Sequence, residues 1–103
     1  MNSLEKHVLY YSLFAFYQPL LTTKQVLYFS DYFIENLSLQ EIATKQQVSR
    51  NAVHDSLQKV IALLNNYETK LKLYEKYKSR NQIYEKYREK YDFIKQLEAL
   101  DKR

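Results

Sequence analysis

Apolar residues recur along this chain at steps of three and four, the spacing that places side chains on one face of an α-helix. The first run is Leu4, Val8, Tyr11, Leu13 and Tyr17, with Ser3 ahead of it as a candidate N-cap. Gln18-Pro19 predicts its end, because proline disfavours helical backbone at the residue before it. Thr22-Thr23-Lys24-Gln25 reads as a capping box, in which the hydroxyl and the amide three residues on each satisfy an orphan backbone donor. It opens a second helix whose Val26, Leu27, Phe29, Phe33 and Ile34 cover a broad face, with Asn36 as a stop in place of glycine.

Ser38-Leu39-Gln40-Glu41 is a second capping box, opening a short helix with Leu39, Ile42 and Ala43 on one side. After a turn of about four residues, Ser49 is an N-cap candidate for a helix carrying Ala52, Val53, Leu57, Val60, Ile61 and Leu64. A short helix, a tight turn and a longer helix give helix-turn-helix spacing. The small Ala43 lets the two helices approach closely, and Ile42, Val48, Val53 and Leu57 fill the angle between them. Tyr67, Leu71 and Tyr74 continue the stripe, so the fourth helix is predicted to reach about Lys78, with a kink or restart at Ser79-Arg80-Asn81-Gln82. Beyond lies a later stripe of Tyr84, Tyr87, Tyr91, Ile94 and Leu97.

Composition narrows the chemistry. The 103 residues include no Gly, no Cys and one Pro. Phosphate loops of the Walker and dinucleotide types need glycines, cysteine zinc sites and disulfides need cysteines, and an all-β chain needs glycine-rich turns. The fold class expected is therefore all-α: a bundle over residues 1–66 containing the helix-turn-helix at about 38–64, then a helical extension over 67–103 that is not an independent domain. Of the aromatics, Phe14, Phe16, Tyr17, Phe29, Tyr32 and Phe33 read mostly as core. Tyr77, Tyr84, Tyr87 and Tyr91 read either as an uncovered protein interface or as a helix folded back on the first two.

Net charge is +4, and it sits late in the chain. Residues 1–48 set Lys6, Lys24 and Lys45 against Glu5, Asp31, Glu35 and Glu41, while residues 67–103 hold eleven basic against seven acidic side chains. No hydrophobic run is long enough for a membrane span: the longest uncharged stretch, Val8 to Thr23, falls short of ~20 residues and contains Pro19. No export signal is evident, and a cytoplasmic protein is the expectation.

The outward side of the fourth helix carries Ser49, Arg50, Asn51, His54, Asp55, Gln58 and Lys59, where a recognition helix would meet a major groove. Arg50, Asn51 and Gln58 are residue types that read guanine or adenine edges with paired hydrogen bonds. Asp55 opposes DNA, and Arg50 and Lys59 alone neutralise few phosphates, so affinity would need the C-terminal Lys and Arg residues or a second subunit. His7 and His54 lie far apart without a carboxylate or cysteine pattern, and no nucleophile has a recognisable base. No catalytic residue, metal ligand or cofactor site is assigned, and the chain is not read as an enzyme. Glu68 with Lys72, and Glu85 with Glu89 and Lys90, read as solvated helix-surface charges.

The segments Phe14–Gln25, Leu37–Ala43 and Val48–Asp55 give the chain a resemblance to the YlxM family, small helix-turn-helix proteins whose genes commonly neighbour those of the bacterial signal recognition particle. The helix-turn-helix is similar to that in region 4 of sigma-70-type factors. The resemblance implies a DNA-binding regulator in, or acting on the genes of, the signal recognition particle pathway. The competing reading is a helical adaptor that does not read DNA and binds the signal recognition particle GTPase or its RNA. Where the family often has glycine, this chain has Gln18, Gln40 and Gln47, and Gln47 falls in the turn of the motif. The late tyrosine stripe leads to the expectation of a homodimer joined through residues from about 67 onward.

Overall fold

The computed structural model describes residues 2–101. Five α-helices run in the order α1 (Ser3–Tyr17), α2 (Thr23–Phe33), α3 (Leu39–Gln46), α4 (Arg50–Leu71) and α5 (Leu73–Asp101), with a 3₁₀ turn at Gln18–Leu20. The described residues contain no strand. The fold of the described residues is thus all-α, as expected.

Helix ends follow local chemistry closely. Asn2, not Ser3, caps α1: its side chain accepts from the Glu5 N–H at 2.8 Å. Both capping boxes form, Thr22 with Gln25 and Ser38 with Glu41. Gln18 keeps right-handed helical backbone despite the following proline, so α1 tightens into the 3₁₀ turn instead of breaking at that residue. Asn36 adopts φ 59°, and the N–H of Leu37 returns to the Asp31 carbonyl at 2.9 Å, closing α2 in the manner of a Schellman motif.

The core joins α1, α2, α3 and α4. Leu13, Phe14, Tyr17, Tyr28, Phe29, Ile42, Ala43, Val53, Leu57, Val60 and Leu64 are buried. Phe14 stacks on Phe29 with ring centroids 4.5 Å apart, and Phe29 on Phe33 at 4.2 Å. Of the aromatics expected inside, Phe14, Tyr17 and Phe29 are buried, Phe16 and Phe33 are half-buried, and Tyr32 is exposed; Tyr28 joins the core without having been expected there. In α1 the buried face belongs to Leu13, Phe14 and Tyr17, while Leu4, Val8 and Tyr11 face solvent. Asp31 is buried as well, held by the Lys45 ammonium at 2.9 Å and the Gln46 amide at 3.3 Å. That carboxylate ties α2 to the end of α3, and removing Lys45 would leave it buried with only a neutral amide as partner.

The largest departure from the predicted elements is the end of α4. It stops at Leu71, seven residues before Lys78, and α5 continues unbroken through Ser79–Gln82, where a restart was expected. Lys72 alone makes the corner, with φ 56°. The cause is a tertiary cap that local sequence patterns do not reveal. The Tyr17 hydroxyl donates to Glu68 Oε1 at 2.6 Å and accepts from the Leu73 N–H at 3.1 Å. Glu68 Oε1 also accepts from the Tyr74 N–H and Oε2 from the Glu75 N–H, both at 3.1 Å. The first three donors of α5 are thereby satisfied by one tyrosine and one carboxylate from other helices. Glu68 is therefore a helix cap and not the solvated partner of Lys72. Past Tyr74 and Tyr77, which meet Phe16 of α1, α5 does not fold back on the bundle.

Burial, with the hydrogen bond to Glu68, pushes the Tyr17 hydroxyl above its usual 10.0. The neutral form is the one the fold stabilises. Its contribution is complete below pH 10 and is lost as pH rises through the folded value. Tyr17→Phe should cost about 1 kcal/mol at neutral pH, since it takes the acceptor from the Leu73 N–H and one donor from Glu68 at a part-buried junction. In denaturant melts repeated from neutral pH to above pH 10, the wild-type protein should lose its advantage over Tyr17→Phe; a difference that stays constant across this range would remove the hydroxyl from the cap.

Candidate nucleic-acid interface

The motif is built at one residue. After Gln46 the chain must reverse direction quickly to start α4, and Gln47 does so in the left-handed region, φ 57° and ψ 45°. Its N–H returns to α3 carbonyls, and the Val48 N–H bonds the Ala43 carbonyl at 3.0 Å. Ser49 then caps α4, its hydroxyl accepting from the Ala52 N–H at 3.0 Å. Of Gln18, Gln40 and Gln47, only Gln47 has positive φ; Gln18 is right-handed helical and Gln40 lies within α3.

Ile42, Ala43, Val53 and Leu57 are buried at the junction, and Val48 is half-buried beside them. Because these positions face inward, the opposite side of α4 is left to Ser49, Arg50, Asn51, His54, Asp55, Gln58 and Lys59, all seven of them exposed. Within this set one close contact joins two side chains, His54 Nδ1 to Asp55 Oδ1 at 3.6 Å. The other side chains make no side-chain hydrogen bond among the described residues apart from the Ser49 cap.

Two grooves border this face. One, of about 290 Å³, runs between α4 and the start of α1, with His54, Leu57, Gln58 and Ile61 on one wall and Lys6, His7 and Tyr10 on the other. The second, of about 410 Å³, lies between α4 and the start of α2, with Ala52, Asp55, Ser56 and Lys59 facing Thr22, Lys24, Gln25 and Tyr28. His7 is tied to the scaffold by a 3.1 Å contact from Nε2 to the Phe33 carbonyl oxygen. Sequence reading had assigned nothing to Lys6 or Lys24, because only the packing of α1 and α2 along α4 brings them beside it. Among the described residues no cluster of three or more His, Asp or Glu could hold a metal ion, and no helix is long and apolar enough to cross a membrane.

A short helix, a left-handed one-residue pivot and a long capped helix with a polar outer face define a helix-turn-helix protein. The chain belongs to the UPF0122 family, described as "Putative helix-turn-helix protein, YlxM / p13 like", which matches it over residues 4–103. It is 51% identical over 71 residues to a UPF0122 protein of Limosilactobacillus fermentum, covering 69% of this chain and 63% of that one. It is 49% identical over 72 residues to a relative from Bacillus velezensis, covering 70% of this chain and 66% of that one. It is also 49% identical over 71 residues to UPF0122 protein YlxM of Bacillus subtilis, covering 69% and 64%. The matched segment thus spans slightly less than two thirds of these relatives' length.

The pivot makes a testable demand on stability. A non-glycine residue in the left-handed region costs about 1–2 kcal/mol, while glycine inside a helix costs about 1 kcal/mol relative to alanine. Gln47→Gly should therefore raise the denaturation midpoint and Gln40→Gly should lower it. If both lower it equally, the turn is not left-handed at Gln47.

Proposed function

We propose that this protein binds duplex DNA by inserting the first three turns of α4 into the major groove. The observation that supports this most directly is the exposure of Ser49, Arg50, Asn51, His54, Asp55, Gln58 and Lys59 on one side of a helix whose other side is locked into the bundle. Side chains on a rigid helix read base edges more accurately than side chains on a loop. Arg50 suits the O6 and N7 of guanine, and Asn51 or Gln58 the N6 and N7 of adenine.

A regulatory role in the cytoplasm, on or within the signal recognition particle pathway, rests on the resemblance to a family whose genes neighbour those of the particle. The functional unit in this reading is the bundle over residues 1–66, with the part of α5 beyond its contacts with Phe16 serving to pair two copies. Exposed apolar side chains support that pairing: α5 carries Ile83, Tyr84, Tyr87, Tyr91, Phe93, Ile94, Leu97 and Leu100, each at least 46% exposed. A patch of this extent is more than a lone soluble helix leaves uncovered. Two recognition helices one DNA turn apart, ~34 Å, would then meet a two-fold site.

Arg50→Ala should lower affinity for the preferred site by about 1–3 kcal/mol while leaving random duplex nearly unchanged. Titrating both duplexes at two salt concentrations checks this. An equal loss on both makes Arg50 a phosphate contact, and no binding to either at low salt favours the adaptor that binds the particle's GTPase or RNA. Sedimentation equilibrium should give a dimer for the full chain at tens of micromolar and a monomer for a chain ended after Lys78. A full-length monomer would remove the dimer.

A further inference from the structure

The cations of the bundle are distributed in a way that the DNA-binding reading does not by itself require. Residues 2–66 contain five basic side chains apart from histidine: Lys6, Lys24, Lys45, Arg50 and Lys59. Lys45 is consumed by the buried Asp31 at 2.9 Å. Among the described residues none of the other four forms an ion pair. All four border the outer face of α4. Arg50 and Lys59 belong to that helix, Lys6 lines the groove on its α1 side, and Lys24 lines the groove on its α2 side. Of the five carboxylates in the same stretch, Asp31 is in the core, Glu41 is turned into the α3 cap and Glu5 holds the Asn2 side-chain amide, while Glu35 is exposed just past α2 and Asp55 is the acidic side chain on the face itself.

We infer that Lys6 and Lys24 are phosphate contacts that flank the recognition helix from α1 and α2, one on each side of the groove that α4 enters. The inference rests on the DNA-binding reading and names the charges that supply its affinity. His54, Leu57, Gln58 and Ile61 lie on one flank of α4, and Ala52, Asp55, Ser56 and Lys59 on the other, so the two lysines stand on opposite sides of the reading stripe. A helix seated in a major groove has a phosphate backbone along each of its sides, the position these ammonium groups occupy relative to α4. Lys24 is steadied there, its Nζ 5.6 Å from the centre of the Tyr28 ring. The bundle then carries its own phosphate contacts without the basic residues of α5, most of which lie beyond the point where that helix leaves the bundle.

The test uses the full chain, a labelled duplex from its own upstream region and a random duplex of equal length, titrated between about 50 and 200 mM salt. Lys6→Ala and Lys24→Ala should each weaken binding by the same factor on both duplexes. Each should reduce the slope of log affinity against log salt by about 0.9 per bound chain. Lys90→Ala on α5 is the comparison and should leave the slope unchanged. Matching thermal melts exclude unfolding, since both lysines are exposed. If the wild-type chain binds DNA and both slopes stay at its value, or if Lys90→Ala lowers the slope equally, the flanking contacts are wrong although DNA binding stands. If the wild-type chain binds neither duplex, the DNA-binding reading fails and takes this inference with it.

Discussion

One carboxylate and one phenol hold the junction on which the rest of the molecule hangs. Glu68 and Tyr17 lie 51 residues apart, yet their 2.6 Å hydrogen bond joins α1 to α4 and leaves the remaining lone pairs aimed at the start of α5. Three helix directions are therefore set by one shared group. Without it the first donors of α5 would turn to water at this part-buried junction, and the corner would lose the bonds that fix its direction. Continuing α4 as a straight helix would forgo these bonds, and the left-handed conformation of Lys72 is the smaller cost.

The lack of glycine gives the corners a common character. Asn36, Gln47 and Lys72 each adopt φ between 56° and 59°, one at every junction that follows α2, α3 and α4. Asparagine is the residue type that tolerates this conformation best after glycine, whereas glutamine and lysine have no such tendency. They are held there because the neighbouring helices are capped and packed on both sides. The same absence lowers the conformational freedom of the unfolded chain, which offsets part of the strain.

Much of this arrangement was legible in the amino-acid sequence. The capping boxes at Thr22 and Ser38 and the cap at Ser49 are local signals, decided within four residues, and each formed as expected. The inward set of Ile42, Ala43, Val53 and Leu57 followed from periodicity alone, and with it the outward position of Arg50, Asn51 and Gln58. What stayed hidden depends on contacts distant in sequence. Glu68 four residues before Lys72 looks like a surface pair, and nothing nearby announces that Tyr17 will claim it. Lys6 and Lys24 were likewise invisible as part of the face, since α1 and α2 must first pack along α4 to bring them there.

The junction at Lys72 has a mechanical side. α5 spans 29 residues, ~43 Å at ~1.5 Å per residue, and beyond its first two turns nothing in the bundle supports it. A tilt of ~10° at the corner would displace its far end by ~7 Å, a distance larger than one helical turn. The polar cap of three amides thus acts as the fulcrum of a long lever. Whatever grips the distal half of α5 can report a small reorientation at Tyr17 and Glu68, or impose one, with little change inside the core.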